Sequence, residues 1–273
     1  MYSAHKLTGA AIALILAISA AGCGDNSRRE AAGELLVKAQ ALVDARNYDS
    51  AIVVLDTLDK KYRDCLDERK AGTSVRLTAL ANLTRDSLAA DELQLQQVQA
   101  DVEALAPQFR KVDVAGTEGY FVDKDAYTGK EMNSNCLQAR VDPDGYMFVV
   151  ANVAGRRIGL NSLRVGGVTT SPAQSVEVEG SEIMSLTQEQ AAPVVDAINA
   201  SDGKSVEVEL VGTKGKVSVK LTGKQLAAFA NSDRYAKALQ RQRKLQITLE
   251  KLERQLARLN DQLAAQIPVP EEE

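Results

Sequence analysis

The chain has 273 residues, 45% of them apolar, so it is long enough to bury a core and to divide into more than one structural unit. Its only histidine is His5, which excludes Ser-His-Asp or Cys-His catalysis and an imidazole zinc site in the remainder of the chain. The formal net charge of −4 argues against nucleic acid as a partner, because nucleic-acid binding needs a concentrated basic face. We therefore expect a protein that is not an enzyme and that binds no cofactor, metal or nucleic acid.

Residues 1–22 have the pattern of a signal peptide for export. A short start containing Lys6 precedes an apolar stretch from Leu7 to Gly22, and small residues lie before Cys23. The apolar stretch has 16 residues, fewer than the roughly 20 that a membrane-spanning helix needs. A soluble secreted protein is the other alternative, but its cleavage site does not require a cysteine.

The segment Ala20-Ala21-Gly22-Cys23 resembles a bacterial lipobox, in which a peptidase cuts before a cysteine that carries acyl chains. This resemblance implies that Cys23 is the lipidation site and that the chain is tethered to a bilayer outside the cytoplasm. Two or more acyl chains anchor a protein stably, whereas a single chain binds membranes only marginally. We expect residues 23–27 to form a short polar leash after the anchor.

Apolar residues at helical spacing then predict a helical hairpin over residues 32–62. This stretch resembles one tetratricopeptide-type hairpin, and the matching residues are Leu35, Ala39, Leu42, Tyr48, Ala51 and Leu55. Arg63 replaces the closing proline of that motif, and a generic helical hairpin is the alternative. A single hairpin needs a neighbour that covers its apolar face, and we expect the next helix, from Leu66 to Leu105, to do so. The predicted helical part therefore covers residues 28–108.

Residues 109–222 contain more glycines, alternating strand-forming residues and tight turns, and predict a small α+β domain with one helix and roughly six to eight short strands. The clearest hairpin joins residues 205–211 to residues 216–221. In its expected register Leu210 faces Val217, Val208 faces Val219 and Val206 faces Leu221, while Glu207 lies opposite Lys220 on the other face.

A second hairpin is expected between residues 137–141 and 146–150, across the turn Asp142-Pro143-Asp144-Gly145. A short helix is expected from Thr187 to Ala200. Thr187 is its predicted N-cap, and Gln190 completes a capping-box pattern.

Residues 223–267 predict a C-terminal coiled-coil helix. Its leucines follow an a/d heptad pattern and comprise Leu245, Leu249, Leu252, Leu256, Leu259 and Leu263. Residues 88–105 of the same chain, running antiparallel, or a second copy of the protein could cover this seam. We favour the intramolecular pair because both helices connect to the same β-rich domain. Residues 268–273 predict a disordered acidic tail.

Two cysteines remain besides Cys23. Cys65 precedes the helix from Leu66 to Leu105, which at 40 residues is about 60 Å long, and Cys136 lies beyond its other end. A disulfide needs Cα atoms within roughly 7 Å of each other. We therefore expect that Cys65 and Cys136 are not joined within one chain.

Four polar residues in one glycine-bounded region are the best candidates for contacts with a ligand: Tyr120, Asp123, Asp125 and Tyr127. A plain surface loop is the alternative interpretation. Strings that partly match calcium loops, phosphate loops or the S-x-x-K motif lack their required companion residues and predict turns.

Most of the chain after Cys23 resembles a group of uncharacterised lipoproteins from Bacteroidetes-type bacteria. The shared features are the hairpin segment NYDSAIVVLDTLDKKY, a central strand-rich domain and a charged C-terminal helix. The resemblance implies an α+β fold in which a helical hairpin and long antiparallel coiled-coil helices flank a small, mostly antiparallel β-rich domain. It implies no particular activity.

From these features we expect a non-enzymatic structural or protein-interaction module of the bacterial cell envelope. It would be anchored through acylated Cys23 in the outer membrane, facing the periplasm, with an envelope protein as its partner. The alternative is a domain that binds an envelope glycan or peptidoglycan, or a histidine-independent enzyme domain, carried on a helical stalk.

Overall fold

The computed structural model describes residues 26–126, 133–201 and 203–266, so the predicted signal peptide, Cys23, Tyr127 and the acidic tail lie outside the described residues. The fold is α+β, as predicted. The helices are α1 (Asn26–Asp44), α2 (Tyr48–Lys61), α3 (Leu66–Leu105), α4 (Gln188–Asn199) and α5 (Gly223–Ala264). The strands are β1 (Phe109–Val112), β2 (Tyr120–Asp123), β3 (Cys136–Val141), β4 (Met147–Ala154), β5 (Leu160–Val165), β6 (Val168–Thr169), β7 (Ser175–Val178), β8 (Ser181–Leu186), β9 (Val206–Gly212) and β10 (Gly215–Leu221).

The chain divides into two compact units. Among the described residues, the first contains 26–83 and 258–266, and the second contains Thr84–Ala257. These units do not follow the predicted boundaries of a β-rich domain at 109–222 and a separate C-terminal helix at 223–267. Leu226, Phe229 and Tyr235 of α5 are buried in the same core as the strands, so this part of the helix belongs to the β-rich unit.

The first unit contains the predicted helical hairpin. α1 and α2 pack against each other, and Ala39, Ala51 and Leu55 are fully or almost fully buried. Gly72 of α3 approaches this pair so closely that a Cβ atom there would lie 3.0 Å from Cδ2 of Leu58. The neighbour that the hairpin requires is therefore α3, as predicted.

The start of α1 is held by an ion pair. Arg28 donates hydrogen bonds of 2.9 Å and 2.7 Å to the two carboxylate oxygens of Asp64, which lies between α2 and α3. The hydrogen bonds from Arg28 lower the pKa of Asp64 to about 2.

α1 begins at Asn26, so residues 26 and 27 are helical and the predicted leash over residues 23–27 is wrong for these two positions. Arg28 lies in the first turn of this helix.

The second unit contains two antiparallel sheets. The larger sheet has the strand order β1-β2-β3-β4-β8-β7, and the smaller sheet has the order β10-β9-β5-β6. The described residues thus form ten strands, more than the predicted number. β6 has two residues and β1, β2 and β7 have four each. Alternation is difficult to recognise over such short lengths.

Both predicted hairpins are present. β9 and β10 pair in the expected register, with Leu210 opposite Val217 and Glu207 opposite Lys220. The two apolar residues of the first pair are buried, as their alternation with charged residues requires. In the other hairpin Val141 of β3 lies opposite Met147 of β4, and residues 142–146 form the connection.

α4 covers part of both sheets. Thr187 Oγ1 accepts a hydrogen bond from the Gln190 N–H at 3.4 Å, and Gln190 Oε1 accepts one from the Thr187 N–H at 3.0 Å, which confirms the predicted capping box. The helix buries Ala191, Val194 and Ile198 and contacts β4, β5, β6 and β8. It therefore joins the two sheets through one hydrophobic core.

α3 and α5 run antiparallel within the second unit, as favoured from the sequence. Arg241 donates to the side-chain oxygen of Gln94 at 3.4 Å, and Gln255 donates to Thr84 Oγ1 at 3.4 Å. The six leucines of the predicted seam on α5 are all buried or half-buried. Asp91 interrupts the apolar face of α3 and accepts a hydrogen bond of 3.3 Å from Gln94.

Cys65 is buried in the first unit and Cys136 is half-buried at the start of β3 in the second, and no disulfide joins them. Burial raises the pKa of the Cys65 thiol. None of the helices in the described parts of the chain combines the length and apolarity that a membrane span requires.

Candidate functional site

Asp123, a predicted ligand contact, is a buried structural group. It ends β2 and is 1% exposed. One carboxylate oxygen accepts hydrogen bonds from Gln108 Nε2 at 3.0 Å and from the Asp125 N–H at 2.9 Å, and the other accepts one from Asn231 Nδ2 at 2.8 Å. Both oxygens therefore accept hydrogen bonds from protein donors. Asp123 connects β2 to α5 through these bonds rather than facing a ligand.

Asp125 lies at the surface nearby. Its carboxylate pairs with Lys224 Nζ at 3.2 Å, and both side chains are substantially exposed. An exposed pair of this kind contributes at most about 1 kcal/mol to stability. Asp125 therefore adds a weak surface link between the β2 end and the start of α5.

Tyr120 begins β2 and lies on the opposite face of the sheet from Asp123, because successive side chains of a strand alternate. Its ring makes an edge-to-face contact with Phe148 at a centroid distance of 6.0 Å. The guanidinium carbon of Arg140 lies 4.3 Å from the Tyr120 ring centroid, a cation–π distance. The structure thus separates Tyr120 from Asp123 and places it in an aromatic and basic cluster on β2, β3 and β4.

Glu182 on β8 is a second buried carboxylate, which the sequence analysis did not identify as a candidate functional residue. Its two oxygens accept hydrogen bonds from three consecutive backbone N–H groups, at 2.9 Å from Ile158, 3.1 Å from Gly159 and 2.8 Å from Leu160. The Ser175 hydroxyl donates a fourth bond at 2.9 Å. Burial raises the pKa of Glu182, but these hydrogen bonds outweigh burial and lower the pKa overall.

The turn between β3 and β4 lies directly against α5. Gly145 in this turn has a φ of +87°, and a Cβ atom there would lie 2.7 Å from Gln240 N and 2.8 Å from Ala236 O. Only glycine permits this approach, because it tolerates positive φ and carries no side chain. Asp144 in the same turn forms an ion pair with Arg243 of α5.

Gln188 at the start of α4 links three elements and separates two depressions. Its Oε1 accepts hydrogen bonds from the Met147 N–H at 3.2 Å and from Gln240 Nε2 at 2.9 Å. The first depression has a volume of about 150 Å³ and is lined by apolar residues that include Met147 and Val195 and by the charged residues Asp196, Asp233 and Lys237. Pockets for drug-sized ligands have roughly 300–1,000 Å³. This depression is therefore large enough for one side chain of a partner, but not for a larger ligand.

The second depression is a groove of about 470 Å³, which we call the Tyr146 groove. The residues that line it include Tyr146, Gln240, Arg243, Lys244, Ile247 and Lys251. Tyr146 is 57% exposed and Ile247 is 44% exposed, although both are large apolar side chains. The groove therefore combines an unburied apolar surface with three basic residues and one acidic residue, Asp144.

α5 carries a concentration of positive charge at these positions. From Arg234 to Lys244 it has five basic residues and no acidic residue, although the whole chain has a net charge of −4. A further groove of about 480 Å³, between α3 and α5 of the second unit, is lined by Arg234, Lys237 and Arg241 and by Asp101 of α3. The basic segment of α5 thus has a concave surface on each side.

Within the parts of the chain that the structure describes, no group of three or more His, Cys, Asp or Glu side chains could hold a metal ion. The predicted lipidation site Cys23 and the candidate Tyr127 lie outside these parts. Sequence patterns could not identify the Tyr146 groove, because it joins a turn and a helix about 100 residues apart in the chain.

Comparisons with protein-family models, with curated proteins and with solved structures find no match to this chain.

Proposed function

We propose that the protein is a membrane-anchored bacterial lipoprotein that acts as a non-enzymatic interaction module in the cell envelope. The sequence before Cys23 supports the anchor, because an apolar stretch and small residues precede a cysteine at the position of lipidation. The anchor holds the folded units near the outer membrane, on its periplasmic side. An envelope protein is the proposed partner.

The observation that best supports an interaction role is the character of the surface along α5. Tyr146 and Ile247 are exposed beside a basic segment, and grooves of about 470 Å³ and 480 Å³ flank it. Protein interfaces are enriched in tyrosine, other aromatic residues and arginine, and their centres are apolar. This combination favours a protein partner over a small metabolite.

The buried carboxylates support a role without catalysis. Asp123 and Glu182 are the acidic groups most enclosed by the second unit, and hydrogen bonds from protein donors engage both oxygens of each. A general acid or base must reach a proton of the substrate. Both groups instead connect elements of the fold.

Metabolic labelling with an alkyne-bearing fatty acid tests the anchor. The wild-type protein is expected to take up label and to sediment with envelopes, while Cys23→Ser is expected to lose both properties. Cys136→Ser is the matched control, because it also removes one thiol and keeps Cys23. Equal labelling and sedimentation of wild type and Cys23→Ser would contradict the proposal.

A second candidate function is binding of an envelope glycan or peptidoglycan fragment. The cluster of Tyr120, Phe148 and Arg140 favours it, because aromatic rings beside a polar group can stack on a sugar and orient it. Co-sedimentation with isolated peptidoglycan distinguishes this function. Tyr120→Ala is expected to abolish saturable binding and Tyr62→Ala, in the first unit, to preserve it; absence of saturable binding by the wild type excludes this candidate.

A further inference from the structure

The Tyr146 groove has the features of a site for one chemically defined partner. Its apolar surface is formed by Tyr146 from the β3–β4 connection and Ile247 from α5, which are 57% and 44% exposed. A monomer gains stability when large apolar side chains leave water. A patch that stays exposed inside a concave site therefore indicates a surface that a partner covers.

The charge of the groove selects the kind of partner. Among the described residues, neither Lys244 nor Lys251 has an ion-pair partner, whereas Arg243 is paired with Asp144. Lys244, Ile247 and Lys251 are three and four residues apart, so they lie on the same face of α5. Two uncompensated ammonium groups thus flank one apolar contact, and a ligand that offers carboxylates on both sides of an apolar side chain complements them.

The spacing of the lysines fits an extended peptide. Seven residues of helix separate their Cα atoms by about 10 Å along the axis. In an extended chain alternate side chains share one face, and residues four positions apart lie about 13 Å apart at roughly 3.3 Å per residue. The flexible four-carbon stems of the two lysines can span the difference. Acidic residues four positions apart, with an apolar residue midway between them, would therefore meet Lys244, Ile247 and Lys251 in order.

The concavity favours a peptide over a bilayer surface. Proteins that lie on anionic membranes present basic residues and apolar side chains on a convex face that sinks into the headgroup region. Here Tyr146 and Ile247 line a groove between a turn and a helix. We propose that the Tyr146 groove binds an extended acidic segment of a partner protein, with an apolar side chain of that segment between Tyr146 and Ile247. This inference rests on the proposed function as an interaction module and specifies the partner's chemistry.

A binding titration with a short fluorescent peptide tests the inference. The probe carries two glutamates four positions apart with a leucine midway between them, and a second probe has glutamines in place of the glutamates. The full chain is purified in a non-ionic detergent, and binding is followed by fluorescence anisotropy. The glutamate probe is expected to saturate the wild-type protein and to bind at least about tenfold more tightly than the glutamine probe.

Charge-reversal variants locate the site. The double variant Lys244→Glu/Lys251→Glu is expected to weaken binding of the glutamate probe by about tenfold or more. The control Lys204→Glu/Lys214→Glu changes the net charge equally at exposed positions outside the groove and is expected to bind like the wild type. Ile247→Ser tests the apolar contact without changing charge and is expected to weaken binding several-fold.

Three results would overturn the inference: equal affinity of the two probes, equal weakening by the two double variants, or binding only to vesicles that contain phosphatidylglycerol. The fatty-acid label on Cys23 is measured on the same preparations. If the label is present and the glutamate probe fails to bind, the inference fails while the proposed anchor stands. If the label is absent and the probe binds through the two lysines, the anchor fails and the site stands.

Discussion

Glu182 Oε1 accepts a hydrogen bond of 2.8 Å from the backbone N–H of Leu160, although the two residues belong to different sheets. The other carboxylate oxygen accepts bonds from the two preceding N–H groups. The chain passes from β4 in the larger sheet to β5 in the smaller sheet at this point. One buried side chain therefore fixes the crossover between the sheets.

Replacing Glu182 with glutamine is expected to lower the free energy of unfolding by about 2–3 kcal/mol. The amide has one acceptor oxygen where the carboxylate has two, so at least one buried N–H group loses its partner. Urea denaturation followed by circular dichroism measures the change. Glu177→Gln is the control: Glu177 lies opposite Glu182 on β7, and its exposed pair with Arg157 is worth at most about 1 kcal/mol. Equal losses in the two variants would contradict this role of Glu182.

The free energy of unfolding should also depend on pH through the Glu182 carboxylate. The folded-state pKa of Glu182 is lowered overall, so its contribution to stability is complete above the unfolded-state pKa of about 4.5. That contribution is lost as the pH falls from this value through the lower folded-state pKa. The wild-type free energy of unfolding should therefore decrease below about pH 4.5, and Glu182→Gln should show a shallower decrease. Parallel curves for the two proteins would show that Glu182 does not contribute.

Gly145→Ala is expected to destabilise the protein by about 3 kcal/mol, because it adds a steric collision to the cost of positive φ. The new Cβ would lie within 2.8 Å of the backbone of α5. Gly155→Ala is the matched control, since Gly155 also has positive φ but has open space where its Cβ would be, and it should cost only about 1 kcal/mol. Thermal unfolding of the two variants compares them directly. A Gly145→Ala cost no larger than that of Gly155→Ala would contradict the close contact.

Cys65 is expected to resist alkylation in the folded protein. It is 1% exposed, and burial raises the pKa of its thiol, so little reactive thiolate is present near neutral pH. Mass spectrometry after brief treatment with iodoacetamide should find Cys65 unmodified until denaturant is added. A peptide that links Cys65 to Cys136 in non-reduced protein would contradict the structure.

Local patterns predicted much of the fold. The alternation of valine and leucine with charged residues specified the register of β9 and β10, because a shift of one residue would expose every apolar side chain. The capping box of Thr187 and Gln190 and the leucine seam of α5 likewise depend on residues close together in the sequence. In each case the prediction depends on the local spacing of a few residues.

The remaining features depend on contacts between distant residues. Local sequence patterns did not indicate that Glu182 meets the N–H groups of residues 158–160, because that contact forms only when strands of the two sheets come together. The sequence analysis grouped Tyr120 with Asp123 as candidate ligand contacts, but strand alternation places their side chains on opposite faces of the sheet. The Tyr146 groove was missed for the same reason, since Gly145 must first bring the β3–β4 turn against α5.

The identity of the amino-terminal tryptic peptide shows whether the chain is cleaved before Cys23 and acylated there. We expect mass spectrometry of envelope-derived protein to find a peptide that begins at Cys23 and ends at Arg28, with fatty acyl groups on Cys23. An unmodified peptide from Leu7 to Arg28, with the bond between Gly22 and Cys23 intact, would contradict this expectation.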